Sequence, residues 1–169
     1  MTPIVSIIMG STSDLPVMEK AAQFLNDMEI PFEMNALSAH RTPAEVEQFA
    51  VEAKGRGLKV IIAGAGMAAA LPGVIAANTT VPVIGVPIKG MLDGLDAMIS
   101  IIQMPQGIPV ATVGVNGAQN AAILAAEMLA LADADLDRKL TAYKEGLKQK
   151  IVKANAELAE VKTWKFKTN

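Results

Sequence analysis

Five short, mostly apolar runs constrain what this chain can fold into more than any other feature. They cover residues 4–9, 32–37, 58–63, 81–86 and 109–115, about 25 residues apart. The first, rich in β-branched residues and lacking strict alternation, reads as a buried strand of the parallel type, and the other four read as further strands. Helical signals fill the gaps between them. Ser11-Thr12-Ser13-Asp14 followed by Pro16 is a helix start, and Val17, Met18, Ala21, Ala22, Phe24, Leu25 and Met28 then recur at helical spacing. Pro43 opens a second helix carrying Val46, Phe49, Ala50 and Ala53, which Gly55 and Gly57 stop. A third, of small residues, is predicted to break near Pro72-Gly73 and run towards Ala77. A fourth is predicted over 92–104 and a fifth, apolar on nearly every face, over 118–131. Residues 136–161 form the last, an amphipathic helix with a basic tail.

Strand–helix alternation of this kind predicts an α/β fold with a doubly wound, five-stranded parallel sheet. The usual order is 2-1-3-4-5, with ligands beyond the carboxyl ends of the strands where the order reverses. Strand 1 then lies between strands 2 and 3. The loops at 10–14, 38–43 and 64–67 should therefore meet along one edge. A single domain over 1–169 is expected, with an α/β core over 1–132 and a C-terminal helix and tail over 133–169.

Composition narrows the function. Formal net charge is -2, so nucleic-acid and acidic-membrane partners are not indicated. There is no cysteine and one histidine, which leaves no thiolate or histidine-rich metal site. No basic segment precedes an apolar one at the N-terminus, and a cytoplasmic protein is expected. Residues 60–88 carry no charge, yet glycines and prolines punctuate them too often for a membrane span. The chain is 51% hydrophobic and only 19% charged, against about 25% charged in typical soluble domains. That surplus of apolar surface, with the apolar fifth helix, points to buried subunit interfaces and a homo-oligomer.

The three loops hold the chemistry. Ser38-Ala39-His40-Arg41-Thr42-Pro43 contains the only imidazole, the natural group for proton transfer near neutral pH, although a lone histidine is often an ordinary loop residue. Arg41 offers a planar fork that suits phosphate, or else it is a solvated surface arginine. Gly10-Ser11-Thr12-Ser13-Asp14 places hydroxyls and free backbone N–H groups at a helix start, either as an anion site or as plain capping. Asp14 would repel a phosphate, so a functional Asp14 should accept hydrogen bonds from sugar hydroxyls. Gly64-Ala65-Gly66-Met67-Ala68-Ala69 matches the dinucleotide pattern G-x-G-x-x-A, but it follows strand 3 and no acidic residue ends the next strand. Its glycines are expected instead to let a ligand ring approach the backbone.

In combination these motifs resemble the 5-(carboxyamino)imidazole ribonucleotide mutases of bacterial purine biosynthesis. The resemblance runs from the first strand to about Leu131. It is carried by GSTSD after strand 1, SAHRTP after strand 2, IIAGAG with ALPG after strand 3, and SIIQMPQGIPVATV leading into strand 5. It implies the flavodoxin-like three-layer sandwich and a homo-octamer. It also implies a carboxylate shift on an imidazole ribonucleotide without ATP, metal or other cofactor. On this resemblance His40 handles the protons, Ser11 and Arg41 hold the phosphate and Asp14 the ribose. Ser13, Ser38, Gly64, Gly66 and Leu71 line the pocket. Many members read GAGGAAHLPG, with a second histidine, where this chain has Met67 and Ala70. A related class carboxylates the aminoimidazole ribonucleotide directly from carbon dioxide. A rival of another class is a non-enzymatic flavodoxin-like nucleotide-binding module. However, Trp164 and Tyr143 lie far from the loops a flavin would need, and strand 3 ends in Gly64 where a phospho-receiver has aspartate.

Overall fold

The computed structural model describes residues 1–169. The chain divides into two compact units, residues 1–129 and 130–169. In the first, strands β1 (Val5–Met9), β2 (Phe32–Ala36), β3 (Val60–Gly66), β4 (Val83–Ile88) and β5 (Ala111–Thr112) alternate with helices. These are α1 (Leu15–Asp27), α2 (Pro43–Ala53), α3 (Leu71–Asn78), α4 (Leu95–Ile102) and α5 (Ala118–Ala130). All strand pairs are parallel, in the order β2-β1-β3-β4-β5, as the alternation predicted.

Side chains of successive strand residues point to opposite faces, and the core divides accordingly. On one face Ile8, Ile61, Ala63 and Val83 pack with Val46, Phe49 and Ala50 of α2, Leu71 and Ile75 of α3, and Ala97 and Ile101 of α4. Gly64, one residue along β3 from Ala63, faces the other way. A β-carbon there would come within 2.5 Å of Met18 Sδ on α1. With both faces covered, all of β1 and β4 is buried, which explains why their sequences do not alternate. The one buried polar side chain, Ser6, donates from Oγ to Glu33 Oε1 at 3.1 Å, and Glu33 also pairs with Arg56.

Several boundaries differ from those predicted, each for a physical reason. Strand β3 continues through Gly64-Ala65-Gly66, because Ala65 and Gly66 still align with Pro87 and Ile88 of β4. Pro72 does not break α3; it falls in its first turn, where a missing N–H costs nothing. The fourth helix is shorter than 92–104. Leu92 and Asp93 have positive φ, Gly94 (φ +90°) is the N-cap, and Pro105 disfavours helix in the residue before it. Only Ala111 and Thr112 of the fifth run pair with β4. Within the single chain the fifth helix buries Ala118, Ala121, Ala122, Ala125 and Ala126 and leaves Gln119 and Asn120 exposed.

The second unit contains α6 (Ala134–Ala159). Asp133 caps it, its carboxylate accepting from the N–H groups of Asp135 and Leu136, both at 3.0 Å. No helix of the chain is long and apolar enough to cross a membrane.

Candidate active site

The sheet order brings the ends of β2, β1 and β3 side by side, and the loops that follow them enclose a cavity of about 150 Å³. The β1 loop contributes Gly10, Ser11, Ser13 and Asp14 to its lining, and the β2 loop contributes Ser38, Ala39, His40 and Arg41. The remaining wall runs from Ala65 to Leu71 and is made of small and apolar side chains. One wall is thus polar and the other apolar.

Backbone and hydroxyl bonds hold the polar wall. Leu37 N–H donates to Met9 O at 3.0 Å, so β2 still pairs with β1 as the chain leaves the sheet. The next turn is closed by Thr42. Its hydroxyl accepts from Ser38 N–H at 2.9 Å and lies 3.1 Å from Ser38 O, which also accepts from Thr42 N–H at 2.8 Å. Ser38 Oγ accepts from Arg41 N–H at 3.2 Å and from Arg41 Nε at 3.3 Å. The Ser38 hydroxyl therefore lines the cavity while serving to orient Arg41. Arg41 Nη2 donates to Gly10 O at 2.9 Å, tying the second loop to the first. Two of the five guanidinium N–H groups are used in this way, and three remain for a ligand.

In the first loop Ser11 Oγ accepts from Ser13 N–H at 3.3 Å. Asp14 stands at the start of α1 but makes no capping bond with its side chain, and its Oδ1 accepts from Ser13 Oγ at 3.4 Å. Burial pushes the Asp14 carboxyl above its ordinary value of 3.8, more than the Ser13 and Ser11 hydrogen bonds and the Arg41 charge pull it down. The His40 imidazole is exposed, and no hydrogen bond or ion pair within the chain engages it. A side chain with no structural partner at a cavity wall is available for chemistry.

The structure gathers eight of the nine site residues that sequence and resemblance single out: Ser11, Ser13, Asp14, Ser38, His40, Arg41, Gly66 and Leu71. Gly64 is not among the lining residues: it belongs to β3, and its vacant side-chain position faces Met18 on α1. Ala39, Ala65, Met67, Ala68 and Ala70 line the cavity without having been assigned to it. Alanines carry no chemical signature, and Met67 was legible only as an unusual residue in its motif. No group of three or more histidine, aspartate or glutamate side chains is placed to hold a metal ion.

Residues 4–150 match the family model of the AIR carboxylases. The N5-carboxyaminoimidazole ribonucleotide mutase of Pyrococcus abyssi is 57% identical over 87% of this chain and 85% of its own. The phosphoribosylaminoimidazole carboxylase of Candida glabrata is 51% identical over 94% of this chain, which spans only 28% of that longer protein. In three dimensions the chain resembles PurE of Treponema denticola, with a TM-score of 0.84, 32% identity, and coverage of 92% of this chain and 98% of that one. The fold is flavodoxin-like, and the chain belongs to the AIR carboxylase family.

Proposed function

We propose that this chain converts 5-carboxyamino-1-(5-phospho-D-ribosyl)imidazole to 5-amino-1-(5-phospho-D-ribosyl)imidazole-4-carboxylate in purine biosynthesis. The observation that carries the reading is the meeting of an unengaged His40, a fixed Arg41 and a half-buried Asp14 on one wall of a cavity whose other wall is apolar. Arg41 and Ser11 take the phosphate, which matches a guanidinium fork beside a hydroxyl. Asp14 accepts from the ribose hydroxyls, and the imidazole ring lies against the apolar wall.

The reaction moves one carboxylate within one molecule. His40 donates a proton to the exocyclic nitrogen as its bond to the carboxyl carbon breaks, releasing carbon dioxide inside the site. The ring carbon attacks that carbon dioxide, and its proton returns to His40. Atoms and electrons balance without ATP or a redox group. One imidazole acts first as acid and then as base.

The enzyme works as a homo-octamer in the cytoplasm. Two features of the single chain support assembly. At about 150 Å³ the cavity is smaller than the roughly 300–1,000 Å³ of typical ligand sites, so a neighbouring copy is needed to enclose a nucleotide. Helix α4 also leaves Leu95, Ile99 and Ile102 exposed at i, i+4 and i+7, next to exposed Met91 and Leu92. The test is an assay without ATP, given the carboxyamino substrate and monitored for the ring carboxylate. Product formation supports the mutase reading. Carboxylation of the free aminoimidazole ribonucleotide by dissolved carbon dioxide, with no turnover of the carboxyamino compound, replaces it with the direct carboxylase.

A further inference from the structure

Met67 departs from what folding alone favours in two ways. Its φ is +52°, in the left-handed region that costs an L residue about 1–2 kcal/mol, and its apolar side chain is 60% exposed. Four other non-glycine residues have positive φ, and each has a local reason. Glu29 follows the C-terminus of α1, where a left-handed residue is common. Asn116 is of a type that tolerates this region. Leu92 and Asp93 form the turn into Gly94 at the start of α4. Met67 is the one of the five that lines the cavity.

Neighbouring groups hold it there. Ala69 N–H donates to Met67 O at 2.9 Å, closing a tight turn behind it. A β-carbon on Gly90 would lie 3.7 Å from Met67 Cγ, so the side chain reaches from the end of β3 to the segment after β4. Strain and an exposed apolar group at one position of a binding wall indicate a functional constraint. The cavity that Met67 lines also carries Ser11, Asp14, His40 and Arg41. A thioether suits an aromatic ring, which it contacts favourably at the edge while adapting its three rotatable bonds.

We propose that Met67 is a positioning residue whose thioether covers the imidazole ring of the bound nucleotide and holds it towards His40. This rests on the mutase reading of the cavity. Carbon dioxide freed beside the ring escapes if that side stays open to water, whereas a cover over the ring favours its capture by the ring carbon.

Met67→Gly and Met67→Asn both fit the left-handed backbone and remove the cover, and Met67→Leu restores apolar bulk. Each is assayed without ATP for KM and for the share of consumed substrate, above the uncatalysed rate, recovered as ring carboxylate rather than free amine. For the glycine and asparagine variants, KM is expected to rise roughly two- to tenfold, the range of a lost sulfur–ring contact. The recovered share should fall while the thermal midpoint holds or rises, since strain is relieved. Met67→Leu should match the wild type in both. Unchanged KM and recovery in either folded variant, glycine or asparagine, overturns the proposal. A wild-type protein that makes no ring carboxylate overturns the mutase reading itself, a result distinct from any difference among variants.

Discussion

Asp14 and Arg41 are the residues whose environment separates function from folding most clearly. Burial raises the Asp14 carboxyl, so the folded protein holds this proton to a higher pH than the unfolded chain does. Stability from this group is therefore lost as pH rises from the ordinary carboxylate range through the folded value, and stays lost above it. Asp14→Asn should consequently leave the thermal midpoint at neutral pH unchanged or higher, while nucleotide affinity falls. A lower midpoint with intact affinity would make Asp14 a structural residue. On the proposed phosphate role, Arg41→Ala removes charge-assisted bonds, which contribute about 1.5–3 kcal/mol each. Its exposed bonds to Gly10 and Ser38 should matter less to folding. Titration calorimetry with the nucleotide checks the affinity, and binding as tight as wild type would remove Arg41 from the phosphate site.

Helices and strands set how closely the elements approach, and two glycines show it. A β-carbon at Gly85 of β4 would lie 2.5 Å from Ile101 Cγ2, 3.2 Å from Val110 Cγ1 and 3.5 Å from Pro72 Cβ, all stiff groups. At Gly64 the obstacle is the flexible end of Met18. Gly85→Ala should therefore cost about 1–3 kcal/mol, as overpacking does, and Gly64→Ala less. Denaturant melts of both variants check the order, and equal losses would contradict it. Neither role was legible in the sequence, because a glycine required by a neighbouring element looks like one required by a ligand. Strand order was legible, since it follows from five runs and their spacing. The ends of α4 and β5 were not: left-handed Leu92 and Asp93 have no signature, and β5 stops pairing at Thr112 although β4 runs on to Ile88. His40, Arg41, Ser11 and Asp14 were legible because their chemistry lies in their side chains. The apolar wall of Ala65, Met67, Ala68 and Ala70 was hidden because it works through shape.

Across the whole molecule, the proposed function makes assembly part of the activity, on the strength of the small cavity and the exposed face of α4. Ile99 is 42% exposed in the single chain, so Ile99→Asp should fold yet fail to assemble, and turnover should fall with assembly. Light scattering and an activity assay on one sample check this, and a fully active monomer would contradict it. On the proposed mechanism the chemistry rests on His40, which no bond within the chain ties down. His40→Asn keeps a polar side chain of similar size that cannot shuttle a proton. The most direct measurement is the turnover number of His40→Asn without ATP, taken on protein shown to be folded and assembled. A fall of roughly two to four orders of magnitude, the contribution of a positioned acid–base group, is the expected result. Near-normal turnover in that protein would contradict the account.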